Sequence, residues 1–194
     1  VAITDHGCMY GVIDFYKAAK KRGIQPIIGC EVYVAKRGRL DKVHELDGEN
    51  RHLVLLCENE TGYRNLAAMV SKAWTEGFYN KPRVDFELLE QYHEGLIALS
   101  ACLSGEVPRA LLRGDYEGAK AAALNYQRIF GEGNFYLELQ DHGLEDEHYV
   151  NPNILKLARE TGIPLVVTND CHYIREEDRE MHKVLLGFQT GRTV

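Results

Sequence analysis

Cysteine is too sparse and too scattered here for a disulfide framework. Cys8, Cys30, Cys57, Cys102 and Cys171 are odd in number, and no two stand at C-x-x-C spacing. A structural zinc ribbon is disfavoured on the same ground, and reduced thiols in a cytoplasmic protein fit the pattern. Most of them read as small buried hydrophobes. Long hydrophobic runs are missing as well. The stretch 53–57 is among the longest, far short of the roughly 18 residues that a membrane-spanning helix needs, so no membrane partner is expected. No basic-then-apolar leader opens the sequence. It starts without Met, directly in the apolar run Val1-Ala2-Ile3, and this reads as a segment of a longer chain. A basic excess is also absent, with 23 Lys and Arg against 29 Asp and Glu and a net charge of −6. That balance disfavours a sequence-independent grip on nucleic acid, which works by displacing counterions from phosphates. Neither a G-x-x-x-x-G-K-S/T loop nor a G-x-S-x-G elbow occurs, so P-loop and serine-hydrolase chemistry lack support.

What is present is a single domain's worth of chain. The 194 residues are 45% hydrophobic, enough to bury a core without a covalent or metal staple. Apolar stretches of strand type alternate with stretches of helical spacing. Strands are expected at 1–4, 27–35, 52–57, 96–101, 135–140 and 163–168. Helices are expected at 12–22, 63–76, from the cap Asp85 to Tyr92, at 105–113, at 115–130, from Asn151-Pro152 to Thr161, and at 176–188. Residues 36–50 read as a loop. Six strands separated by helices indicate an α/β fold of βα units with parallel strands. An open doubly wound sheet and a closed barrel both satisfy that pattern.

In such folds ligands bind at the carboxyl ends of the strands. Those ends carry Asp5-His6, Cys102, Asp141-His142 and Asp170-Cys171-His172, and Glu31 lies within the second strand. One Asp-His pair is more often a hydrogen-bonded turn than a ligand pair. Repetition changes this, because converging carboxylates cannot stay charged together without a cation between them. Imidazole and thiolate added to carboxylate suit zinc, manganese or iron better than calcium or magnesium. Metals a few ångströms apart would suit phosphoester cleavage. His52 precedes its strand and reads as structural on position alone. Glu76 sits at a helix C-terminus, unfavourable for a carboxylate unless a metal or a cation offsets the dipole. His44, His93, His148 and His182 read as surface residues, and Trp74 with Phe78-Tyr79 as packing.

Several stretches, taken together and in order, resemble one family. They are Ala2-Ile3-Thr4-Asp5-His6-Gly7, Pro26-Ile27-Ile28-Gly29-Cys30-Glu31, His52-Leu53-Val54-Leu55-Leu56, Gly62-Tyr63-Arg64-Asn65-Leu66, Leu139-Gln140-Asp141-His142-Gly143, Thr168-Asn169-Asp170-Cys171-His172-Tyr173 and the closing Gln189-Thr190-Gly191-Arg192-Thr193. They resemble the polymerase-and-histidinol-phosphatase (PHP) domains carried by bacterial replicative DNA polymerase III alpha subunits. The resemblance implies a distorted seven-stranded βα barrel, here lacking its first strand and helix, with residues 1–194 forming one PHP domain truncated at its N-terminus within a larger polymerase. It implies two or three divalent metals, zinc or manganese first and iron next. The metal ligands implied are His6, Glu31, His52, Glu76, Cys102, Asp170 and His172, with Glu31, Asp170 and His172 also catalytic. Asp5 and His142 join as further candidates. The activity implied is a metal-dependent phosphoesterase or 3′–5′ exonuclease within a DNA-synthesising parent, in the cytoplasm. Implied partners are DNA through the parent, the other polymerase domains, a proofreading exonuclease subunit and other replisome subunits. Two alternatives stand beside it: an inert module docking the polymerase and proofreading subunits, and a free-standing phosphatase of the histidinol-phosphate type.

Overall fold

A computed structural model describes residues 1–191. The elements are β1 (Ala2–Ile3), α1 (Val12–Lys21), β2 (Ile27–Ala35), α2 (His44–Asp47), β3 (Asn50–Cys57), α3 (Glu60–Thr75), β4 (Arg83–Val84), α4 (Phe86–Tyr92), β5 (Leu96–Leu99), α5 (Glu106–Leu112), α6 (Tyr116–Phe130), β6 (Phe135–Leu139), α7 (Glu145–Thr161), β7 (Leu165–Val167) and α8 (Asp178–Thr190). The closing motif noted above ends at Arg192-Thr193, outside the described residues.

The strands form one curled, seven-stranded sheet in the order β1-β2-β3-β5-β6-β7, with β4 added beside β2. The six expected strands are all present, and the short β4 is the seventh. The all-parallel expectation is corrected: β3 runs antiparallel to both β2 and β5. The other pairings are parallel. The reversal follows from the short excursion between β2 and β3. Residues 36–49 hold only the single-turn α2, too little for the crossover helix that a parallel return requires.

Side-chain alternation along the strands separates two environments. Cys30, Val32 and Val34 on β2, Leu53 and Leu55 on β3, Ala98 on β5, and Phe135 and Leu137 on β6 join the main core with Leu66, Met69, Leu89, Tyr126 and Leu157 from the helices. The opposite face is concave. There Val54, Leu99 and Ala101 form a second, smaller cluster with Leu56, Ile97, Tyr136 and Val166. The strands read as continuous apolar runs because both faces carry apolar residues, one against helices and one lining a cavity.

Helix starts follow side-chain caps where the sequence offers them. Asn59 accepts the Gly62 amide at α3, Asp85 the Leu88 amide at α4, and Asp115 the Gly118 amide at α6. The Asn151-Pro152 start is not used. Helix α7 begins at Glu145 and carries Pro152 inside it. Three acidic residues, Glu145, Asp146 and Glu147, occupy its first turn, where the dipole favours them. Asn151 instead turns its amide to the Gln140 carbonyl at 2.9 Å.

The loop around α2 is fastened by buried charge. Asp47 takes a two-pronged bond from Arg37 at 2.9 and 2.6 Å. Arg83, fully buried on β4, donates to the carbonyls of Gly77, Arg39 and Asp41 at 2.8–3.0 Å. Gly62 on α3 lies so close to the turn before β5 that a Cβ would stand 1.8 Å from the Gly95 carbonyl oxygen. Gly62→Ala is therefore expected to destabilise the fold by about 3 kcal/mol, at the upper end for overpacking because backbone must move. A chemical-denaturation midpoint followed by circular dichroism will measure the loss.

Candidate metal centre

The concave face opens into a cavity of about 810 Å³ at the carboxyl ends of the parallel strands. His6, Glu31, Cys102, Asp170 and His172 all line it, together with Asp5, Glu138, Gln140 and Thr168. Its floor is apolar, made by Val54, Leu56, Ile97, Leu99 and Val166.

Backbone pairing brings His6 and Glu31 together. Beyond β1 the chain continues alongside β2: the Glu31 amide donates to the Asp5 carbonyl at 3.1 Å, and the Gly7 amide to the Glu31 carbonyl at 2.9 Å. Gly7 is left-handed there, with φ +63°. His52 arrives from the reversed strand. It pairs with Tyr33, two residues beyond Glu31 toward the carboxyl end of β2. The start of an antiparallel strand thus reaches the lip where the parallel strands end. Position along its own strand therefore does not show that His52 stands beside Glu31. Cys102 follows β5, past Ala101, a buried non-glycine residue at φ +62°.

The imidazole and carboxylate ligand atoms of His6, Glu31 and His52 all lie within 4.8 Å of one another. Glu31 Oε1 is 2.6 Å from His52 Nδ1. Glu31 Oε2 is 3.8 Å from His6 Nδ1. The Cys102 Sγ lies 3.8 Å from Glu31 Oε1 and 3.6 Å from His52 Nδ1. The His6 ring stacks on Tyr33 at 5.8 Å and approaches His172 at the same centroid distance. Asp170 carries φ +44°, and its carbonyl accepts His172 Nδ1 at 2.9 Å. Left-handed backbone at a non-glycine residue costs of order 1–3 kcal/mol and concentrates at functional sites. The two strand ends with Thr-Asp-His character, 4–6 and 168–172, therefore meet at one lip.

The electrostatics favour ligation by Glu31. Burial alone would raise its pKa, but the His52 hydrogen bond and the neighbouring imidazoles hold it below the ordinary carboxylate value. Burial lowers the pKa of His6, opposed in part by Glu31, which favours a neutral ring with a free lone pair. Burial pushes the Cys102 thiol up to about 12. Donors of this kind bind a metal at about 2.0–2.3 Å and so sit roughly 3–4 Å from one another. The His6–Glu31–His52 group, with Cys102 beside it, fits a divalent cation in donor type, and in spacing once the 2.6 Å Glu31–His52 hydrogen bond opens to admit it.

Three other candidates are placed differently. The structure does not bring Glu76 to this group. Its carboxylate takes Lys72 Nζ at 2.9 Å and Arg39 Nε at 3.0 Å, so side-chain cations offset the helix dipole there. Asp5 stands on the cavity wall, its carbonyl accepting from the Glu31 amide and, at 3.3 Å, from the Cys30 thiol. Both ring nitrogens of His142 are taken, by Glu147 at 2.6 Å and by the Asn169 carbonyl at 2.8 Å. His182, expected on the surface, is half-buried with its ring 5.7 Å from that of His172.

Glu138 went unnoticed in the sequence. It is 4% exposed on the concave face, bonded by Thr168 and Gln140. Its Oε2 is buried with no hydrogen-bond partner among the described residues. Burial raises its pKa, and the charge of Glu31 adds to this. A lone acid inside the apolar strand Phe135-Tyr136-Leu137-Glu138-Leu139 was the available signal.

The PHP domain family model matches residues 1–142. Three curated relatives are DNA polymerase III alpha subunits. That of Treponema pallidum is 50% identical over 99% of this chain and 16% of its own length. Those of Borreliella burgdorferi and Thermus aquaticus are 46% and 44% identical over 98% and 100% of this chain. The chain spans about a sixth of the length of these relatives. Among solved structures, an amidohydrolase from Chromobacterium violaceum superposes with a TM-score of 0.51 at 16% identity, over 89% of this chain and 76% of its own. That likeness concerns the fold alone.

Thiol reactivity checks the burial of this centre. Alkylation at pH 8 followed by mass spectrometry is expected to label exposed Cys171 first. Cys30 and Cys102, both with burial-raised pKa values of about 12, are expected to resist until denaturant is added.

Proposed function

The chain belongs to the PHP domain family, and from that premise we propose that its cavity is a divalent-metal phosphoesterase site within a bacterial replicative polymerase. The observation that carries the proposal is the convergence of His6, Glu31 and His52 ligand atoms within 4.8 Å at the strand carboxyl ends. In this reading Glu31 is the central ligand, His6 and His52 flank it, Cys102 adds sulfur, and Asp170 with His172 close the set from the last strand. The mixed N, O and S donors suit zinc or manganese first and iron next. A bound divalent cation would polarise a phosphoester and lower the pKa of water at the site.

The chain's own residues supply the rest. His172 commits Nδ1 to the Asp170 carbonyl, so ligation would fall to Nε2. Burial lowers the His6 pKa, which favours the unprotonated ring. The apolar floor excludes water from one side of a substrate, and the cavity volume suits a nucleotide-sized ligand. A 3′–5′ exonuclease acting in proofreading is the activity we propose. The similarity to polymerase alpha subunits over nearly the whole chain favours this context over a free-standing histidinol-phosphate phosphatase. The proposed setting is the cytoplasm, with DNA, the remaining polymerase domains, a proofreading exonuclease subunit and other replisome subunits as partners. No helix among the described residues is long and apolar enough to cross a membrane.

The test pairs metal content with hydrolysis of a phosphodiester and of a primed DNA 3′ end, using manganese or zinc. Glu31→Ala and Asp170→Ala are expected to lower both, the rate by more than roughly 100-fold, beyond what altering an outer-shell partner costs. Unchanged metal content and rate in a folded variant overturn the proposal. Metal binding that raises the melting temperature without any hydrolysis supports the docking-module alternative instead, as would suit the acidic charge balance.

A further inference from the structure

His142 lies between β6 and α7 and faces two groups that can only accept. Its Nδ1 meets Glu147 Oε1 at 2.6 Å, and its Nε2 meets the Asn169 carbonyl oxygen at 2.8 Å. Glu147 is buried in the first turn of α7. Its other oxygen already accepts the His142 amide at 2.7 Å and the Leu144 amide at 3.4 Å. Burial alone would raise the Glu147 pKa, but these bonds hold it below the ordinary value, so it stands as a carboxylate. A neutral imidazole has one N–H and satisfies one acceptor; two acceptors require both nitrogens to donate. The arrangement therefore holds one proton more than a neutral ring beside an ionised carboxylate.

The Asn169 carbonyl is a telling place for that bond. Strand β7 ends at Val167, and Thr168 makes the next rung, its amide donating to the Leu139 carbonyl at 3.2 Å. Past this rung the chain turns through Asp170 at φ +44°. The Asn169–Asp170 peptide is thus held from outside its own strand, by a ring anchored on α7.

We propose that His142 is a positioning residue: braced by Glu147, it clamps the Asn169–Asp170 peptide and so aims Asp170 and His172 at the Glu31 centre. The clamp rests on the reading of Asp170 and His172 as metal ligands. It gives the Asp141-His142-Gly143 motif a role in ligation without making His142 a ligand.

The test uses the full chain with Mn²⁺ alone as probe. His142→Gln and Glu147→Gln are each expected to weaken Mn²⁺ binding about tenfold, the scale of outer-shell partners. In both, amide exchange is expected to quicken at residues 169–172 while β2 and β3 keep their protection. Adding His142→Gln to a chain carrying both Asp170→Ala and His172→Ala is expected to cost no further affinity, because the clamp then has nothing to aim. In the unmodified chain, nitrogen NMR at neutral pH is expected to find both His142 ring nitrogens protonated. Mn²⁺ affinity unchanged by Asp170→Ala overturns the metal reading and the clamp with it. A loss in Asp170→Ala with none in His142→Gln overturns the clamp alone, as does a further loss when His142→Gln is added to the chain lacking both Asp170 and His172 side chains, or a singly protonated ring.

Discussion

Glu31 stands as a carboxylate on the concave side of the sheet, 5% exposed, and much of the surrounding structure serves to make that tolerable. An isolated buried charge would cost several kcal/mol. His52 meets one oxygen, His6 approaches the other, and the Cys102 thiol points at the first. These three partners come from three different segments, so the charge can be met only when β1, β2, β3 and the turn after β5 are in register. One side chain in a central strand thereby links the assembly of the sheet to the assembly of the centre.

Strand direction does the positioning. Had β3 followed β2 through a crossover helix, His52 would lie at the far end of the sheet from Glu31. The short connection through α2 forces an antiparallel return, and the start of β3 reaches the lip beside Glu31. Buried Asp47 and Arg83 hold that connection in place. The stability of a polar loop outside the cavity is in this way a condition for the geometry inside it.

Much of this was legible in the sequence, because strand ends and ligand-type residues coincide. Asp5-His6, Cys102 and Asp170-Cys171-His172 mark the lip, and the alternation of apolar runs marks the six main strands. What was not legible depends on pairing. The direction of β3 cannot be read from an apolar run, so His52 looks structural until its neighbour is known. Glu76 looks like a ligand in want of a metal until Arg39, distant in sequence, is seen beside it. Asn151-Pro152 carries the local chemistry of a helix start, but three acids, the Glu147 carboxylate among them, begin α7 earlier. Glu138 is plain in sequence as an acid within an apolar strand, and only burial against Thr168 and Gln140 gives it weight.

The central claim is that one buried carboxylate gathers a metal centre at the carboxyl ends of these strands. Anomalous diffraction from crystals of the chain soaked in manganese or zinc tests it most directly. The account predicts a peak about 2.0–2.3 Å from a Glu31 carboxylate oxygen, with His6 and His52 nitrogens at similar range. A metal bound only by other residues, with the Glu31–His52 hydrogen bond still intact, would contradict it.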